Sequence, residues 1–204
     1  MVLLTCDHIV NFFTEKKETS LDWLTIFTTV SPIIIGLVAL LLSYFQMVKT
    51  LNAKKEDEER AEIRKKLDEF YGPILQLRMK SNLLYQKFNE EYRAVDSNFS
   101  TLIYLLNSHV FSGNNKILLE EIIKIGELTE KLIHEKAGLI DDTNLRTIVL
   151  PRATTHFLLI RLAYAGALTG DLDRFKTLTF PKDLDLLLEK KKKELEERLK
   201  KLNS

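Results

Sequence analysis

The chain has 204 residues, is 45% hydrophobic and 29% charged, and carries a formal net charge of +1. That near-neutral balance gives no general drive toward nucleic acid, and 7 Gly with 4 Pro exclude a turn-rich all-β or disordered chain. A single cysteine, Cys6, excludes an internal disulfide framework and a cysteine-based zinc site.

Residues 1–23 contain a short apolar patch, MVLLTCDHIVNFF, followed by a net acidic stretch. The patch is too short to span a bilayer and reads as an extracytoplasmic segment resting on the outer leaflet. From Leu24 to Val48 no charged residue occurs. As a helix this run reaches ~37 Å, more than the ~30 Å hydrocarbon core, so residues 24–48 are expected to form one transmembrane helix in a lipid bilayer. Thr25, Thr28, Thr29 and Ser31 can bond to their own helix carbonyls. Pro32 with Gly36 is a place for a kink, and Trp23 and Tyr44 sit where amphipathic rings favour headgroups. The acidic preceding segment and the missing small-residue cleavage pattern argue for a retained anchor over a cleaved signal.

Lys16 and Lys17 precede the run, whereas Lys49, Lys54, Lys55, Arg60, Arg64, Lys65 and Lys66 follow it. The more basic flank stays in the cytoplasm. The expected localisation is therefore a cell inner membrane, single-pass, with the N-terminus outside and the C-terminal domain cytoplasmic. Residues 49–62 are a charged stalk or linker, read either as a continuation of the helix or as a solvated, frayed segment.

A cytoplasmic all-α domain is expected over residues 63–204. Ile63, Leu67, Phe70, Ile74, Leu77, Ser81, Leu84 and Phe88 follow one another at spacings of 4 and 3, which predicts a helix with one apolar seam of coiled-coil type. Gly72–Pro73 interrupts it, and because the phase survives the proline a kinked continuous helix is expected. The seam serves either to pair with a copy of the chain or to pack inside the domain; packing inside is the favoured use.

Asp96–Ser97 is read as the opening of a helix over SNFSTLIYLLNSHVF, ended by SGNN. Asn114 or Asn115 is expected to cap the next, KILLEEIIKIGELTEKLIHEK, with Gly138 as the residue after its end. LPRATTHFLLIRLAYAGALTGD is apolar almost all round, which predicts the central, most buried helix, ended by TGD. The last helix, DLDLLLEKKKKELEERLKKLNS, has Pro181 at its start, and its early acids and late bases complement the helix dipole.

No strand-like alternation of useful length occurs. The fold class is all-α: a single N-terminal transmembrane helix followed by a cytoplasmic helical bundle. EFYGP followed by a helix, and the stretch AGALTGDLDRFKTLTFPKDLDLLLEKKKKEL, resemble bacterial single-pass membrane proteins of unassigned function with a cytoplasmic helical domain. The resemblance covers the region of Phe70 and Leu162 to Leu195. It implies a fold and a location, and transfers no functional residue.

Chemistry-bearing patterns are few. His8, His109, His134 and His156 belong to no metal-ligand spacing; a site assembled from His109, His134, His156 and Asp141 is the weaker alternative to histidines at the edge of the core. No phosphate-binding loop and no nucleophile–His–acid arrangement occurs. Catalytic residues, cofactors, metals, nucleic acid and a small-molecule substrate are therefore not expected, and the chain is not read as an enzyme. Arg152, His156 and Arg161 form a basic set on an apolar helix. Arg161 is expected to need a carboxylate, with Asp141, Asp142, Asp171 and Asp173 nearby in sequence.

The functional expectation is a membrane-anchored helical interaction or scaffold module that holds a protein partner, or its own copies, at the cytoplasmic face. The candidate partner-binding residues are Ile63, Leu67, Phe70, Ile74, Leu77, Leu84 and Phe88 on the seam, with Arg152, His156 and Arg161. The alternative is a membrane-perturbing effector of a bacterial stress or defence system.

Overall fold

A computed structural model describes residues 23–170, 172–175 and 177–203. The readings made above on residues 1–22, including Cys6 and His8, and on Asp171 lie outside the described residues, as do the side chains of Asp173 and of residues 23–29, among them Thr25, Thr28 and Thr29. Among the described residues the structure is all helical, with no strand. Helix α1 (Trp23–Lys66) runs into a π turn (Leu67–Tyr71) and α2 (Gly72–Val95). Then come α3 (Thr101–Leu106), α4 (Gly113–Glu135), a 3₁₀ turn (Ala137–Leu139), a second π turn (Leu145–Val149), α5 (Leu150–Tyr164), the short α6 (Leu172–Phe175) and α7 (Leu184–Leu202).

The chain divides into two compact units, residues 1–55 and 56–204. In the first, α1 is long and apolar enough to cross a membrane; its most apolar 18-residue window has a mean hydropathy of 2.0 and none of it is buried. Ile33, Ile35, Leu40 and Phe45 are each more than 60% exposed. The charged stretch after this window is helical throughout.

The second unit has two apolar cores. One joins Ile63, Phe70, Tyr71, Ile74, Leu145 and Leu188 with their neighbours; the other joins Phe88, Phe99, Leu106, Phe111, Leu119 and Ile160 with theirs. Helix α7 closes the first core with Leu184, Leu188 and Leu195 and is clasped to the end of α1. The Arg198 guanidinium donates to Glu59 at 2.6 and 3.0 Å, and Arg60 Nε donates to the Leu202 carbonyl at 2.9 Å. The second core is aromatic: Phe88 is fully buried, and Tyr92 stacks on Phe99 with ring centroids 4.8 Å apart.

Both π turns precede a proline. Pro73 and Pro151 have no N–H to give and would clash with the carbonyl one turn back. The chain widens instead by one residue: the N–H of Gly72 bonds to the Leu67 carbonyl, and that of Leu150 to the Leu145 carbonyl. A Cβ on Gly72 would lie 2.9 Å from the Leu67 oxygen, so the first turn requires glycine. The expected kinked continuous helix is thus a helix carried through by a π turn. The buried face departs from the seam in part. Beyond the first π turn Ile74, Arg78, Ser81 and Phe88 are buried, while Leu77 and Leu84 are half-buried.

Several boundaries differ from the sequence reading. Asp96 ends α2 instead of opening a helix; its carboxylate accepts from the Asn98 N–H at 2.9 Å and from the Tyr104 hydroxyl at 3.0 Å, folding residues 96–100 into a loop. Helix α3 therefore has six residues, and stops where Ser108 turns left-handed at φ 60° with the paired bonds of a Schellman motif, His109 N–H to Tyr104 and Ser108 N–H to Leu105. Ser112, not an asparagine, precedes α4; Asn115 donates to Glu91 and to the Tyr92 hydroxyl. Gly138 lies in the 3₁₀ turn. Helix α5 ends in a Schellman motif at Gly166, before the TGD. It is not buried all round: Leu158 is 39% exposed, and Arg152 and Thr155 face solvent. Its buried stripe is Leu150, Ala153, Leu159, Ile160 and Ala163.

Candidate functional site

A cleft of about 560 Å³ opens in the helical unit, with walls drawn from both cores. Helix α2 contributes Arg78, Ser81, Asn82 and Tyr85, the loop before α3 Ser97 to Ser100, α4 Leu119, Ile122 and Ile123, α5 His156, Phe157 and Ile160, and the segment before α7 Thr179, Phe180 and Lys182. Its size is that of a small-molecule pocket.

The most buried charge in the wall is Arg78, 5% exposed. Its Nε donates to Asp185 Oδ1 at 2.7 Å, and its Nη2 donates to Asp185 Oδ2 at 3.2 Å and to Asn82 Oδ1 at 3.0 Å. Asn82 Nδ2 donates to Asp185 Oδ2 at 2.7 Å, closing a three-residue ring of bonds. The guanidinium carbon lies 4.2 Å from the Phe180 ring centroid. A buried charge is tolerated when it is paired, bonded and stacked in this way. Burial alone would raise the Asp185 carboxyl, but the bonds and charge of Arg78 and the Asn82 amide hold it below its ordinary value.

His156 stands beside this ring. Its Nδ1 lies 3.0 Å from the Leu178 carbonyl, which can only accept, so Nδ1 carries the proton and donates. Burial pushes its pKa down, the Leu178 bond works against this, and the Arg78 charge adds to the lowering. The ring is then neutral, with a lone pair on Nε2. Thr101, also in the wall, is 6% exposed and its hydroxyl has no hydrogen-bond partner among the described residues.

The structure does not gather the sequence-predicted set. The seam is covered by the chain's own helices: Ile63, Phe70, Ile74 and Phe88 are buried core, Leu67 packs against the first core, and Leu84 is half-buried. Leu77 lines a shallow groove between α2 and α4, with Leu128 and Leu132. The seam surface is therefore already in use inside the chain. Arg152 is exposed, His156 lines the cleft, and Arg161 turns to α4, donating to Glu127 at 3.1 Å with Glu130 at 3.5 Å. Nine residues along a helix is half a turn of phase, so Arg152 and Arg161 point to opposite sides. Of the expected aspartates, Asp141 and Asp142 have other partners. Asp141 sits between Lys66 at 3.4 Å and Lys191 at 3.5 Å, and Asp142 accepts from the Leu145 N–H at 2.7 Å. Burial would raise the Asp141 carboxyl, yet the two lysines hold it below its ordinary value. No cluster of three or more His, Cys, Asp or Glu with metal-site geometry occurs among the described residues.

Sequence reasoning missed Arg78, Asn82, Asp185 and Thr101. One local signal existed: Arg78 lies on the turn after Ile74, beside the apolar stripe, where a charged residue at the edge of a buried face needs a partner. The partner, 107 positions away, carried no such signal.

No protein-family model, curated protein or solved structure matches the chain.

Proposed function

We propose that the chain is a membrane-anchored helical interaction module, held in a cell inner membrane by residues 24–48 with its helical unit on the cytoplasmic side. The module holds a protein partner, or further copies of the chain, at that face. The observation that supports it is the exposure of the apolar residues of α1. Ile33 to Phe45 find no cover among the described residues, while the helical unit completes its own cores without them. An uncovered apolar helix of this length is matched by the hydrocarbon of a bilayer. The lysines and arginines after it favour the cytoplasmic side for the helical unit.

The test is a topology map. On a Cys6→Ser background, Ser20→Cys and Ser204→Cys are labelled with a membrane-impermeant maleimide in intact spheroplasts. Residue 20 is expected to react at once and residue 204 only after permeabilisation. The reverse pattern overturns the orientation, and equal reaction of both from one side overturns the span. Chemical cross-linking in native membranes then tests the module: a protein partner or a ladder of copies is expected, and recovery of the uncross-linked chain alone contradicts it.

A further inference from the structure

We propose that the cleft in the helical unit binds a small anionic amphiphile: a molecule with an apolar aryl or alkyl body and one carboxylate or phosphate group. The inference goes beyond the anchoring role and does not depend on it. The body is specified by the apolar part of the wall, Leu102, Leu119, Ile122, Ile123, Phe157 and Ile160, drawn from three helices. Such a surface inside a concavity of this size favours an apolar guest, with a few polar groups to orient it.

The sign of the head follows from the charges. The lining contains Arg78, Arg93 and Lys182 against the single carboxylate of Asp185. Asp185 is spent on Arg78, held by two hydrogen bonds and by Asn82. Arg93 and Lys182 are exposed and have no carboxylate partner among the described residues. Two uncompensated cations beside an apolar pocket attract an anion and disfavour a cation. His156 has its Nδ1 held by the Leu178 carbonyl at 3.0 Å and is left out of the head-group contacts. Arg78 plays a different part: it joins α2 to the start of α7 through Asp185 and is not available to the head group.

The experiment is calorimetric titration of the full chain in nanodiscs of zwitterionic lipid, with empty discs subtracted. The probes are 4-phenylbutyrate, 3-phenylpropyl phosphate and the uncharged 4-phenylbutyramide. At least one anion is expected to bind saturably at one per chain, at least tenfold more tightly than the amide, and comparison of the two anions decides between carboxylate and phosphate. Arg93→Gln with Lys182→Gln, both exposed and so without effect on folding, is expected to weaken the anion at least tenfold and to leave the amide unchanged. Equal binding of anions and amide, anion binding that survives the double substitution, or no saturable binding of any probe overturns the proposal. None of these results bears on the topology map.

Discussion

Replacing Arg78 with Met tests whether the ring of bonds at the cleft is structural. Methionine keeps much of the side-chain volume against Phe180 and removes the charge. Breaking a fully buried ion pair by deleting one partner costs about 3–5 kcal/mol, because the other charge is stranded. Here the stranded group, Asp185, has a side chain 31% exposed, so it regains part of its hydration. The expected loss is accordingly about 2–3 kcal/mol. For a unit of this size that lowers Tm by roughly 5–10 °C. Arg78→Met with Asp185→Leu removes both charges, and the pair is expected to cost less than Arg78→Met alone, about 1 kcal/mol, part of it the lost first-turn carboxylate of α7. The assay is thermal unfolding of the full chain followed by near-ultraviolet circular dichroism, which reports the tyrosine-rich helical unit. A double substitution as costly as the sum of the two singles would refute the reasoning, since it would mean that the two charges do not depend on each other.

Gly72→Ala inverts a common rule: alanine normally stabilises a helix by up to about 1 kcal/mol over glycine, but the new Cβ meets the Leu67 carbonyl at 2.9 Å. The variant is expected to lose about 1–2 kcal/mol, read by the same melt; a variant as stable as the parent would show that the π turn yields freely. His156 gives a pH dependence. Its folded pKa is lowered, so between the ordinary histidine value and the folded one the unfolded chain binds the extra proton, and stability falls as pH falls through that window. His156→Asn, whose amide can still donate to Leu178, is expected to flatten the change in Tm between pH 7 and pH 5; an unchanged slope would assign the dependence to other groups. Asp185 acts lower: its stabilisation is complete above the ordinary aspartate value and is lost as pH falls through the depressed folded value.

The long apolar run, the all-helical class and the seam were legible in the sequence, because each depends on spacing along one segment. A helix records its own period, so local order suffices to read it. The boundaries of α3 and α5 were less legible, since a Schellman turn at Ser108 or Gly166 depends on a single residue's φ against a background of good helix formers. What faces what was not legible at all. The seam Ile63–Phe88 carries the same spacing whether it meets a second copy or the chain's own helices, and only the packed structure shows it covered from within. Beyond the π turn at Leu67–Tyr71 the buried face keeps Ile74, Ser81 and Phe88 but takes in Arg78, while Leu77 is half-buried. From there everything that defines the cleft is long-range: Arg78 to Asp185 and His156 to Leu178. Periodicity settles which face of a helix avoids water. Which polar groups meet inside is settled by how the helices pack, because a buried charge is stable only where the fold has delivered its partner.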